Sequence, residues 1–258
     1  MRRQYKSQPS GSGKPVLSSG ESIIEVVNRM GIGARFRLPG PVCGGLFSLC
    51  ESLGPVQRVL MGILWMSSSI LEKGQEAAFR GDILDLRHVS GFTSYRRDNE
   101  VISALEILRD EEVILADDTP IRIFKTLILS DDDGVPVVDW IFDEEFASLF
   151  VDQTVYSLLD IRQIVLLKKG LDLYMYRYAR LIWNKRNPEI TLSLGDMRIA
   201  AGMMADQPFK RLVPRLKNAV KRIAEVTGGE IVLDCFSERG RRKATRAKLY
   251  AFKPEKQD

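Results

Sequence analysis

Between residues 209 and 227 the chain carries cations at a spacing suited to gripping a polyanion. With Phe209 at zero and 100° per residue, Leu212, Val213, Leu216, Val220, Ile223 and Ala224 lie within about 60° of one line. Lys210, Arg211, Arg215, Lys217, Asn218, Lys221 and Arg222 occupy the rest of the circle. One stripe is built to be buried. The other offers charges that neutralise phosphates and an amide that can read a base edge. A second cationic cluster, Arg239, Arg241, Arg242, Lys243 and Arg246, lies in the stretch SERGRRKATR. Strand-like segments at 230–236 and 247–252 flank it, so it reads as a ribbon turn reaching phosphates or a narrow minor groove. Charge also blunts strand edges, but a single lysine does that. If six to eight of these cations meet phosphates, log affinity falls against log salt with a slope of roughly −5 to −7.

Pro214 interrupts the pattern, because it cannot donate to the Lys210 carbonyl. Either the helix kinks there, or it starts near Leu212 and Phe209 belongs to a preceding turn. Lys217, Asn218, Lys221 and Arg222 are helical on both readings.

The elements that must position these cations are legible upstream and downstream. Ser193 is an N-cap, with Asp196 at the capping-box position, for a helix over 194–202. Residues 203–207 make a turn, and Gly228-Gly229 ends the following helix. Helix, turn, helix and ribbon together specify a helix-turn-helix with a wing, whose second helix enters the major groove. Basic amphipathic helices also lie on membrane surfaces, but not in that context.

The first half predicts a similar order. Pro55 opens a helix carrying Val59, Leu60, Ile63, Leu64 and Ile70. A short strand at 83–86 and a helix at 97–109 follow. Strands at 113–116, 121–129 and 135–141 come next, with an acidic turn at Asp131–Gly134, and then a short helix at 144–150. Helical stretches at 156–167 and 171–183, broken at Gly170, open the second half. Tyr174 and Tyr178 sit at helix spacing and read as core, not as a base-stacking platform. The fold class expected is α+β, two tandem winged-helix domains: 1–54 a flexible tail and lead-in, 55–152 the first, 153–254 the second, and 255–258 a tail.

Composition narrows the function. Of 258 residues, 45% are hydrophobic and 28% charged, which excludes a wholly disordered chain. No apolar run is long enough to span a bilayer. Cys43, Cys50 and Cys235 show no paired-cysteine spacing and read as reduced thiols in a soluble, cytoplasmic protein. The single histidine, His88, excludes a histidine metal cage within one chain and is expected in a turn or on the surface. Gly13-Lys14 fails as a phosphate loop, because Gln8 stands at the first glycine position and Pro15 at the hydroxyl position. Asp131-Asp132-Asp133 reads as a solvated turn. No catalytic residue, metal or cofactor is expected. Residues 1–152 hold 16 basic and 23 acidic residues, whereas 153–258 hold 22 and 11, so the positive charge is concentrated in the second half.

Three segments carry a family resemblance. VYSLLDIRQIVLLKKGLDLYMYRYARLIW (155–183) is similar to a long helical element opening a second domain. FKRLVPRLKNAVKRIAEVTGGEIVLD (209–234) is similar to a recognition helix running into a wing. VVDWIFDEEFASLF (137–150) is similar to a strand leading into a short interdomain helix. Over about 55–254 the chain resembles plasmid replication initiator proteins built from two tandem winged-helix domains. That resemblance implies monomers that bind origin repeats (iterons), help open the duplex and recruit the host initiator and helicase. It also implies homodimers that bind an inverted repeat and repress their own gene, in the plasmid-associated cytoplasm. The first domain would supply the dimer interface and secondary DNA contacts, and the second the main major-groove contact. A winged-helix transcriptional regulator without initiator activity is the alternative. A nicking relaxase would need paired histidines beside a tyrosine nucleophile; Tyr174, Tyr176 and Tyr178 exist, the histidines do not.

Overall fold

The computed structural model describes residues 23–49, 51–74, 77–92, 98–115, 117–151, 154–204, 206–237 and 245–253. In chain order the first half contains α1 (Ile23–Met30), β1 (Arg35–Pro39), α2 (Gly40–Gly44), β2 (Leu46–Phe47), α3 (Gly54–Leu71), β3 (Ala78–Asp82), α4 (Ile83–Val89), α5 (Asp98–Leu108), β4 (Glu112–Ile114), β5 (Pro120–Arg122), β6 (Phe124–Asp132), β7 (Val135–Phe142) and α6 (Glu144–Ser148). The second contains β8 (Tyr156–Asp160), α7 (Ile161–Ile164), α8 (Gly170–Ile182), β9 (Glu189–Ser193), α9 (Leu194–Ala200), a 3-10 turn (Phe209–Arg211), α10 (Leu212–Thr227), β10 (Glu230–Phe236) and β11 (Arg246–Phe252).

Folded structure begins far ahead of residue 55. Val26 of α1 and Phe36 and Leu38 of β1 are buried, so the described residues 23–49 of the expected tail and lead-in belong to the folded body. Its partner is remote in sequence: β1 pairs antiparallel with β8, Arg35 opposite Asp160 and Pro39 opposite Tyr156. The same pairing corrects the helix expected over 156–167. Residues 156–160 satisfy their backbone groups across to β1, and α7 makes only one turn, capped by the Asp160 carboxylate accepting from the Arg162 N–H. Periodicity within one segment carries no information about a strand partner so far away.

In the first half, β3-β7-β6 form one sheet and β2-β4-β5 another. The β6–β7 loop is Asp133-Gly134, with φ of 55° and 81° and Asp132 opposite Val135. That is the two-residue hairpin turn favoured by Asp-Gly. Asp131 accepts from the Gly134 N–H at 2.6 Å, and Asp132 pairs with Arg80 at 3.2 Å, so the aspartate cluster is a turn. The strand expected at 83–86 lies just earlier, at β3, because Ile83, Leu86 and Val89 recur at helical spacing and are buried on α4. His88 lies on that helix, only 5% exposed, and not in a turn or on the surface.

The core is continuous through α3 and α8. Tyr174 and Tyr178 are buried in it, as helix spacing predicts, and Tyr176 on the other side of α8 is buried too. Gly170 starts α8 and does not kink it. A Cβ there would lie 2.3 Å from the Glu51 carbonyl oxygen, so the close approach to the chain ahead of α3 requires glycine. Across the same junction Arg177 donates to Glu51 at 2.8 Å, both side chains almost fully buried. Burial pushes the adjacent Cys43 thiol up to about 12 despite the Arg177 charge. Among the described residues no helix is long and apolar enough to cross a membrane, and no cluster of three His, Cys, Asp or Glu side chains could hold a metal ion.

Candidate nucleic-acid interface

The site is assembled from α9, α10 and the β10-β11-β9 sheet. Ser193 caps α9, its hydroxyl accepting from the N–H groups of Gly195 at 3.1 Å and Asp196 at 3.4 Å. Residues 201–208 carry the chain to the 3-10 turn, and α10 starts at Leu212. Pro214 is therefore its third residue, where no intrahelical N–H bond is required, and the helix does not kink. Gly228 ends α10 at φ 69°, its N–H bonding the Ala224 carbonyl at 2.8 Å. No side chain but glycine tolerates that conformation cheaply. β10 and β11 then pair from Glu230–Phe252 to Phe236–Arg246.

Leu212, Leu216, Ala219 and Ile223 are the fully buried stripe of α10. Val220 and Ala224 only flank it. Ala219 takes the place the hydrophobic count gave them, because its small side chain allows close approach. The opposite face exposes Lys217, Asn218 and Lys221, with Lys210 and Arg211 exposed on the preceding turn. Lys221 approaches Glu225 at 3.8 Å, an exposed i,i+4 pair that costs the lysine little mobility.

Two of the cations, exposed Arg215 and half-buried Arg222, lie to one side of this face and are engaged by the fold. Arg215 and Arg222, seven residues apart, share the flank between the exposed and buried stripes. Arg222 donates to both oxygens of Asp172 on α8, at 2.6 and 2.7 Å. Asp172 has no solvent exposure, whereas Arg222 is 31% exposed. The hydrogen bonds to Asp172 push the Arg222 pKa further up. Arg215 donates to the Ala201 carbonyl in the turn after α9. These two side chains fasten α10 to the domain body, and the exposed face then stands in a fixed direction.

Arg246, the first residue of β11, is exposed, and its charge acts on Asp196 at the start of α9. Burial pushes the Asp196 carboxyl up, and the Ser193 hydroxyl and Arg246 pull the other way. Arg239, Arg241, Arg242 and Lys243 lie outside the described residues. Asp172 was not anticipated. Its signal is a lone carboxylate among Leu171, Leu173 and Tyr174 on a helix whose other charges, Arg177 and Arg180, lie further on; such a carboxylate demands a cation when buried.

No protein-family model matches the chain, and no curated protein sequence matches it. Solved structures do. The Pi initiator protein, solved in complex with iteron DNA, superposes with a TM-score of 0.60 at 15% identity, covering 85% of this chain and 97% of that one. Domains 2 and 3 of RctB superpose with a TM-score of 0.50 at 9% identity, covering 77% of this chain and 81% of theirs. At these identities the likeness is one of architecture: the chain is an α+β protein with the winged-helix fold of the Pi initiator.

Proposed function

We propose that the chain is a plasmid-type replication initiator that binds repeated sequences of duplex DNA through α10 and the β10–β11 wing. The observation that carries this reading is the division of α10 into three sectors: a buried apolar stripe, a flank fastened by Arg215 and Arg222, and an outward face presenting Lys217, Asn218 and Lys221. A helix held in that way after a helix and a turn is suited to lie in the major groove. The lysines neutralise phosphates, and Asn218 is the group on this face able to pair an adenine edge. Arg222 acts from behind, setting the helix direction through Asp172. The Pi initiator, alike in fold along almost its whole length, was solved with iteron DNA, which supports the choice of partner.

The activity proposed is binding followed by deformation of the duplex. Homodimerisation, autorepression and recruitment of host initiator and helicase belong to the same proposal by resemblance. The test is a footprint of the purified chain on the DNA flanking its gene, with a permanganate assay for unpaired thymines. Protection of direct repeats about two helical turns apart, with opening of an adjacent AT-rich segment, is expected. Protection of a lone palindrome without opening overturns the initiator reading and leaves a regulator.

A further inference from the structure

A second cationic surface lies on the ribbon that the N-terminal segment makes with the second half. Along β1, Arg35 and Arg37 are exposed and Phe36 and Leu38 buried. Alternate strand residues leave opposite faces, so both guanidinium groups stand on the solvent side of the β1–β8 ribbon. Arg37 lies over the Tyr156 ring at 4.6 Å, which holds it on the face and not over the edge. Arg162 of α7 grips Asp160 with two bonds, at 2.9 and 2.6 Å. Arg35 reaches the same carboxylate only at 3.7 Å and keeps 62% of its side-chain exposure. Arg180 of α8 comes in from beneath, donating to the Leu158 carbonyl at 2.7 Å.

Asp160 is the single acid within β1, β8 and α7. It is buried and already occupied by Arg162, so Arg35 and Arg37 present charge outward with little to offset it. β1 is an edge strand of a two-stranded sheet, and a single charge would protect it, whereas it carries two arginines on one face. The helical turn that follows the ribbon, α7, touches the reading helix. Gln163 of α7 lies 3.5 Å from the Val226 carbonyl in the last turn of α10. Lys221 is five residues earlier, about 7.5 Å along the helix axis and about 140° around it, so α7 braces α10 from behind its lysine face. One turn of duplex spans roughly 34 Å, enough to touch both.

We infer that the outward face of the β1–β8 ribbon, through Arg35 and Arg37, clasps the sugar–phosphate backbone of the same duplex that α10 faces. This rests on the DNA-binding reading above. It makes the N-terminal strand a working part of the interface of the second half. The contact carries no sequence information and adds to all duplexes alike.

The test uses the full chain and a 40-base-pair mixed-sequence duplex, with binding measured by fluorescence anisotropy from 50 to 200 mM KCl. Replacing Arg35→Ala and Arg37→Ala together should weaken binding roughly ten- to a hundredfold and flatten the salt slope by about two units. Asp160 keeps Arg162 in that variant, so the fold persists; the thermal midpoint checks it. The R35K/R37K pair should hold the slope within about one unit of the parent. A parent slope with no change in the alanine variant overturns the ribbon contact and leaves α10 untouched. Equal losses in the alanine and lysine variants also overturn it, since the effect would then be structural. No binding by the parent chain defeats the DNA reading itself.

Discussion

α5 and α10 occupy corresponding places in the two halves and are packed by the same rule, yet their outward faces have opposite charge. α5 buries Val101, Ala104, Leu105 and Leu108, and α10 buries Leu212, Leu216, Ala219 and Ile223. Outside, α5 shows Asn99, Glu100, Ser103 and Glu106, whereas α10 shows Lys217, Asn218 and Lys221. The hairpins differ likewise: the β6–β7 turn carries Asp131, Asp132 and Asp133, and the β10–β11 connection is the arginine-rich stretch 239–246. Even the fastenings are reversed. Asp98 of α5 accepts from the buried Arg87 of α4 at 2.9 Å, and Arg222 of α10 donates to the buried Asp172 of α8. Apolar spacing decides how a helix docks; the residues it leaves outside decide what it can meet. A phosphate backbone is repelled by the outward face of α5 and attracted by that of α10. The secondary DNA contacts expected from the first domain find no cationic face on α5.

The largest effect should come from the fastenings. Arg222→Ala leaves Asp172 buried without a cation and should cost about 3–5 kcal/mol of stability, measured by urea unfolding. Asp98→Ala likewise takes the partly exposed partner from a buried charge, Arg87, and should cost a comparable amount, about 3–5 kcal/mol. Clearly unequal losses would break the parallel between the two fastenings. Next comes the wing: replacing Arg241, Arg242 and Lys243 with alanine should weaken binding to all sequences and flatten the salt slope by up to about three units. Smallest is a charge reversal on α5. Glu106→Lys should tighten non-specific duplex binding by no more than about threefold at 50 mM salt, because one distant exposed charge is largely screened. A gain as large as the loss seen in the wing variant would mean that α5 already lies on the DNA.

Much of the site was readable because it depends on local rules. The Ser193 cap, the Gly228 stop, the apolar stripe of α10 and the strand 230–236 are set by residues within a few positions of one another. Pro214 left two readings open, and the choice depended on the 3-10 turn before Leu212. What escaped were pairings between distant segments. Nothing near Arg35–Pro39 announces Tyr156–Asp160 as its partner, so local pattern reads one segment as a tail and the other as a helix. Arg222 looked like every other cation on its helix until Asp172, 50 positions earlier, was placed beside it. Charge patterning marks a cationic region, but it does not separate exposed cations from those engaged by the fold.

The most direct test of the outward face of α10 is the salt dependence of duplex binding for the parent chain and for a Lys217→Ala, Lys221→Ala variant. The parent should give a slope of roughly −5 to −7, and the variant should be flatter by about two units with an unchanged unfolding midpoint. A variant whose slope and affinity match the parent's would show that α10 does not face the DNA.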